Sequence, residues 1–413
     1  MVTVNHRSCR KVRQSLVFGV VICAVIGALA LPGRAHAQLV GKAFASGQYE
    51  HNSNVFADDN ALVQPGNNGS GQSATSFVYG AGFDAGYLFG RQQLYATVSA
   101  RQYDYQQFSD LNHNEYSVDT GLKWQLADAF DGNLEIVRTH AMVPFLDLSG
   151  TVTGLSLVTE QRETFQLGVK VTSEWKLEGS AYTSRTTQPT PGAVNQELTQ
   201  TAGTASIEYA GIGPLVSGFT ATYLSGDYDG TNGAASSSYS QSTAGLLANY
   251  KLNRTTFEGQ VTYSRRTSDS GVDNASGLTG LISFKDQLTP KTSFTVKIDR
   301  AINTVYLNLG SEVDTDAGFT VNWQATYKTG VSLGYVFTYR AFPGQTQGLA
   351  GAYPVDYQQN ATFALNYQPF HWLSISPYAN VQTRRSNTFG RDFNSTVYGV
   401  TLTASVGEDA PKR

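Results

Sequence analysis

The chain has 413 residues, with 29 Lys and Arg against 32 Asp and Glu and a formal net charge of −3. Two cysteines in a chain of this length exclude a disulfide-stapled scaffold. The absence of a basic excess argues against nucleic acid as a partner.

Arg7, Arg10, Lys11 and Arg13 precede an apolar run from Leu16 to Leu31, and Ala35-His36-Ala37 follows it. A basic start, an apolar core and a small-residue cleavage site read as a Sec-type secretory signal peptide over residues 1–37. The rival, a retained transmembrane helix, needs about 20 apolar residues, more than this run supplies. Cys9, Cys23 and five basic residues fall in this segment, so the remainder holds 24 Lys and Arg against 32 Asp and Glu and no cysteine. No later stretch reaches about 18 apolar residues, so any membrane crossing is made by strands.

Leu39–His51 reads as a first strand, with Ala43, Ala45, Gly47 and Tyr49 on one face, and a polar loop runs from His51 to Ala74. From Phe77 to Ala100 the pattern is clearest. Phe77, Tyr79, Ala81, Phe83, Ala85, Tyr87 and Phe89 share one parity, and Val78, Gly80, Gly82, Asp84 and Gly86 the other. After Gly90-Arg91 the alternation resumes with Leu94, Ala96, Val98 and Ala100. Side chains of a strand point to opposite faces in turn, so this is a hairpin with one apolar face. The row matches the roughly 9–11 tilted residues of a transmembrane strand, and aromatics at both ends match its two interfacial girdles.

The same rows recur down the chain. Among them are Tyr116 to Leu126, Phe165 to Val171, Leu215 to Tyr223, Ala244 to Tyr250, Phe294 to Ile298, Phe319 to Tyr327, Val331 to Tyr339 and Tyr398 to Val406. Short connections such as Gly90-Arg91, Gly211–Pro214 and Leu288–Lys291 alternate with long polar ones such as Val143–Glu160 and Phe342–Pro354. Short periplasmic turns and long extracellular loops mark an outer-membrane barrel. The reading is therefore all-β: a transmembrane outer-membrane antiparallel β-barrel of about eighteen strands with both termini periplasmic. It occupies residues 38–407, and a polar tail covers 408–413. A soluble β-sandwich is the rival fold, but it does not require aromatics flanking nearly every apolar row.

Parity also sorts the charges. Lys123, Lys170, Lys176, Lys251 and Lys285 face the lumen beside short turns, at the periplasmic mouth. One reading is a set of solvated lumen residues in ion pairs; the other is a ring of one sign that selects ions. Glu178 and Glu258 sit at similar depth and offset part of that ring. Arginines recur towards the extracellular strand ends. Arg101, Arg266 and Arg340 face the upper lumen, while Arg138, Arg185, Arg265, Arg300 and Arg385 face outward. Guanidinium pairs bidentately with phosphate, so the outward set can clamp phosphates of outer-membrane lipid and lipopolysaccharide. Ordinary snorkelling to the interface is the alternative.

No catalytic group emerges. His51, His113, His140 and His371 have no serine or cysteine nucleophile placed beside them by spacing. No metal motif and no cofactor motif are present. Asp58-Asp59 with Asn52 and Asn54 offers oxygen ligands for calcium, but Asn-rich acidic loops are ordinarily just solvated.

Gly47-Gln48-Tyr49-Glu50-His51-Asn52-Ser53-Asn54-Val55-Phe56 resembles the opening of the beta-barrel porin 2 family, whose chains begin with an aromatic, a polar or acidic pair and Ser-Asn-Val-Phe. Glu-His-Asn stands here where members often have Tyr-Asp. The resemblance extends in kind over roughly residues 40–407, with only the opening motif-like. It implies an outer-membrane conduit or accessory in exopolysaccharide export, with exopolysaccharide and periplasmic export proteins as partners. Composition alone implies a general porin for small hydrophilic solutes. An outer-membrane enzyme is a third reading, and it requires a Ser-His or Asp-His cluster at one depth. An export conduit favours aromatic rows and unfolded loops in the lumen, whereas a general porin narrows with an inserted loop.

Overall fold

Alternating apolar and polar residues bury only one face of a strand, so the strands must share a sheet whose polar face is enclosed. The computed structural model shows how they do so. It describes residues 38–57, 59, 73–145, 154–188, 196–230, 236–269, 271, 274–305, 310–343 and 353–408. The segment read as a signal peptide lies outside the described residues, as does the tail beyond residue 408.

Eighteen strands follow one another. They are β1 (Gln38–Asn52), β2 (Ala74–Phe89), β3 (Gln92–Tyr105), β4 (His113–Leu126), β5 (Phe130–Met142) and β6 (Leu157–Lys170). Next come β7 (Trp175–Gln188), β8 (Gln196–Ile212), β9 (Leu215–Gly230), β10 (Ser237–Lys251), β11 (Thr255–Ser268) and β12 (Ala275–Thr289). The last are β13 (Thr292–Val305), β14 (Gly310–Gln324), β15 (Thr329–Ala341), β16 (Val355–Phe370), β17 (Leu373–Ser386) and β18 (Phe393–Gly407). Each pairs antiparallel with its neighbours in sequence, and β1 pairs with both β2 and β18. The sheet is a closed ring, which satisfies backbone groups without an edge. The expected strand number, antiparallel order and closure are all present.

The seam between β1 and β18 depends on one glycine. Gly407 has φ +102, and a Cβ there would lie 2.1 Å from the Gly41 carbonyl oxygen. The Glu408 N–H then donates to that same oxygen at 3.0 Å. Gly90 and Gly213 supply the left-handed residues, φ +62 and +57, that two of the tight turns require.

The parity expected from sequence holds on both faces. Phe83 is 44% exposed and Leu246 67%, both on the outer wall. Such exposure of large apolar side chains in the middle of strands is the inverse of a soluble protein and suits a hydrocarbon surround.

The principal packed core lies at the loop end. The Ser53 N–H donates to the Thr396 carbonyl at 3.0 Å, and the Thr396 N–H donates back to Ser53 Oγ at 2.8 Å. Asn54 Nδ2 donates to the Asn394 carbonyl, and Ser395 Oγ donates to Asn52 Oδ1. This pins the first loop across the seam. Val55 is then buried with Leu111 and Phe145, and the Phe56 ring meets Phe108 at 4.9 Å and Phe145 at 5.1 Å, both edge to face. The Asn-Ser-Asn-Val-Phe element is thus a clamp and an apolar staple between loops. Asn52 and Asn54 spend side-chain groups on it; of the Asp58-Asp59 pair in the calcium reading, Asp58 lies outside the described residues.

One hairpin leaves the ring. Pairing of β12 with β13 stops at Gly280 and Arg300, and pairing of β14 with β15 stops at Val313 and Ala341. Yet β13 and β14 stay paired with each other to Val305 and Gly310. Residues 301–305 therefore stand free of β12, and 310–312 extend beyond the end of β15. Ile302 is only 8% exposed and Ser311 0%, values foreign to a tip projecting into solvent. Residues 301–305 and 310–312 lie inward, over the lumen.

Candidate functional site

The lumen is built from the inward parity of all eighteen strands, and its two ends differ. At the turn end, Lys170 and Lys176 sit directly opposite each other on β6 and β7. Lys176 donates to Asp131 at 3.4 Å and also to Glu178. Lys123 and Arg91 line the same cavity of about 740 Å³. Lys251 and Lys285 occupy the strands on either side of β11, both registered against Thr256. Lys170, Lys251 and Lys285 have no carboxylate within ion-pairing distance among the described residues. The five lysines therefore divide. Lys176 is neutralised by two acids, and three others present free charge to the mouth.

The loop end is narrower. A cavity of about 600 Å³ is lined by Met142 of β5 and Val158 of β6 on one side and by Glu312, Asp314 and Arg340 of β14 and β15 on the other. β5 and β14 stand nine strands apart in an eighteen-strand ring, on opposite walls. A space of this size touching both walls means the passage is constricted there. The inward hairpin makes the constriction. Asn303 Nδ2 donates to Asp314 Oδ2 at 3.1 Å, and Arg340 Nε donates to Asp314 Oδ1 at 2.9 Å and lies 3.4 Å from Glu312. Arg340 thus ties the hairpin base to β15.

Arg266, read as an upper-lumen arginine, is 1% exposed. Its guanidinium stacks 3.5 Å over the Tyr239 ring and donates to Thr304 Oγ1 at 2.7 Å. Tyr239 Oη and Thr304 Oγ1 are themselves 3.0 Å apart, and Gln200 Nε2 donates to Tyr239 Oη at 2.6 Å. Arg101 faces the lumen opposite Gly80 and Glu115. Sequence parity found the arginines but not Tyr239 or Thr304. Thr304 shares its parity with the outward Ile298, and only the departure of the hairpin from the wall turns it to the lumen.

The outward arginines are where parity put them, but three are engaged by the protein. Arg185 pairs with Glu197 at 2.6 Å and Arg385 with Asp392 at 3.4 Å. Arg300 Nε donates to the Leu278 carbonyl at 3.1 Å and its Nη1 to Thr315 Oγ1 at 2.6 Å. Arg265 is exposed with no protein partner among the described residues, and the Arg138 Nε is buried without one. Among the described histidines, His51 and His140 meet threonine hydroxyls and His113 meets Glu115 and the Leu111 carbonyl. None is hydrogen-bonded to a serine.

No protein-family model matches the chain, and no curated protein matches it. Solved structures do. The FrpB iron transporter from Neisseria meningitidis, F5-1 variant in its apoprotein form, aligns with TM-score 0.51 and 10% identity over 84% of this chain and 62% of that one. The chain thus spans less than two thirds of the FrpB length. The outer membrane protein OpdK from Pseudomonas aeruginosa aligns with TM-score 0.48 and 12% identity over 89% of this chain and 99% of its own. OpdQ from the same organism gives 0.47 and 11% over 90% and 99%. At these identities the likeness is one of fold alone: a closed antiparallel β-barrel.

Proposed function

We propose that the protein is an outer-membrane channel for small hydrophilic solutes, narrowed at its extracellular mouth. The observation that carries this reading is the cavity that opposite walls share beneath an inward-folded hairpin. A constriction lined by amides, hydroxyls and paired charges admits solutes that hydrogen-bond and excludes bulk. The apolar outer wall supports membrane placement, with turns and chain ends towards the periplasm. Outer-leaflet lipid or lipopolysaccharide phosphates are the partners proposed for Arg265 and Arg138. The test is reconstitution: the purified barrel in planar bilayers should give discrete conductance steps, and proteoliposomes should swell in small sugars but not in large dextrans. Bilayers that stay silent with correctly folded protein overturn the reading.

A second reading, exopolysaccharide export, is favoured by the Asn52–Phe56 element and by tyrosines on the inner wall. Tyr103 stacks on His113 at 4.6 Å, and Tyr378 lies on the same side of the ring. A polymer needs the constriction to open. Normal polymer secretion by a deletion strain removes this reading and leaves the channel untouched.

A further inference from the structure

We infer that the β13–β14 hairpin is a movable gate, latched in the closed position by Thr304. The inference rests on the channel reading and assigns its regulation.

Three observations carry it. First, two strand edges that belong together are both vacant. Above Gly280 and Arg300 the register would set Leu278 opposite Ile302 and Ser276 opposite Thr304, but neither pair forms. Unpaired strand edges are normally paired or covered, since each leaves backbone donors and acceptors wanting. Here the Arg300 side chain supplies a substitute, its Nε donating to the Leu278 carbonyl. Second, the sequence of β13 suits the wall as well as the lumen. Phe294, Val296 and Ile298 face outward, and Ile302 continues that row if the strand re-pairs, next to Leu278, which is 65% exposed. The same residue is instead enclosed at 8% exposure. Third, the split falls at a glycine. Gly280 has φ +145, and a Cβ on it would lie 2.0 Å from the Gln260 carbonyl oxygen, so only glycine fits where β12 parts from β13.

Residues 301–305 therefore have two arrangements. In the closed one, Thr304 accepts from Arg266 and bonds with Tyr239, while Ile302 lines the cavity. In the open one, residues 301–305 extend the wall beside 275–279, and the cavity joins the mouth. A bistable segment held by a few hydrogen bonds is the physical form of a switch.

The closing experiment is a cysteine pair, Ser276→Cys with Thr304→Cys, in a sequence whose two cysteines, Cys9 and Cys23, both precede β1. Only re-pairing brings these positions face to face. Mild oxidation of native outer membranes should form the disulfide in the folded, heat-modifiable species, and conductance should rise and fall again on reduction. Thr304→Val, which removes the latch alone, should raise the open fraction about tenfold. Failure of the disulfide to form in folded protein overturns the gate. So does a disulfide that forms without changing conductance in a barrel that otherwise conducts. If no species conducts, oxidised or reduced, the channel reading falls and takes the gate with it.

Discussion

Tyr378 and Glu50 meet across the barrel seam. The Tyr378 hydroxyl donates to the Glu50 carboxylate, and Gln48 Nε2 donates to the same hydroxyl at 2.8 Å. Tyr378 stands on β17 and Glu50 on β1, so the contact bridges β18 between them. The ring lies where Gly399 leaves room: a Cβ there would fall 2.8 Å from the hydroxyl and 2.4 Å from the Tyr49 carbonyl oxygen.

Tyr378→Phe should therefore weaken closure. Loss of a hydrogen bond to a charged acceptor costs about 1.5–3 kcal/mol when buried and less in a wet lumen. The urea midpoint of the heat-modifiable gel shift should fall, and Gly399→Val should lower it further. Equal midpoints for wild type and Tyr378→Phe would show that the seam rests on its backbone ladder alone.

Localisation has a direct assay. The mature protein should sediment with outer membranes and migrate faster on gels unheated than boiled, as closed barrels do. Native protein found soluble in the periplasm contradicts membrane insertion.

Charges on the two walls should differ in effect. Phe83→Asp and Leu246→Asp place carboxylates on the exposed outer wall, at a cost that stays below the about 2–4 kcal/mol a basic side chain incurs at mid-membrane. Leu247→Asp, on the lumen side, should assemble better. Gly82 is not an equivalent lumen control, although its parity is the same. A Cβ there would come within 2.4 Å of the Val98 carbonyl and 2.5 Å of the Phe44 ring. Assembly yield in the outer-membrane fraction measures the difference; equal yields would mean that neither face meets hydrocarbon, and a lower yield for Leu247→Asp that the faces are reversed.

The lysines at the turn end are not interchangeable. Lys170, Lys251 and Lys285 to Glu together should move the reversal potential in a salt gradient towards cation preference, more so at low ionic strength. Lys176→Glu should instead cost folding yield, because it sets a third carboxylate beside Asp131 and Glu178. Unchanged selectivity in the triple variant at low salt would show that the mouth does not control ion passage.

Most of the ring was legible because the period of two is local. Phe77 to Phe89 announces its strand without reference to any partner, and a turn such as Gly90-Arg91 is written in two residues. The constriction was not legible, for the opposite reason. Ile302 and Thr304 carry outward parity, and only the end of β13's pairing with β12 at Arg300 sends them inward. Two signals were present: Arg300 interrupts an apolar row, and Gly280 sits where the neighbouring strand should be stiff. The role of Asn52–Phe56 was likewise hidden, since its partners Asn394 to Thr396 lie some 340 positions away.

The seam has a consequence for engineering. The Glu408 N–H rests 3.0 Å from the Gly41 carbonyl, so the start of β1 and the end of β18 are already neighbours. The barrel's topology is that of a loop of hairpins with no privileged first strand. A circular permutant that joins these ends by a few glycines and opens the chain between β9 and β10 keeps every strand pair of the ring. Its order of emergence during synthesis would change, while its wall would not. Such a permutant separates what the folded barrel needs from what its assembly machinery reads.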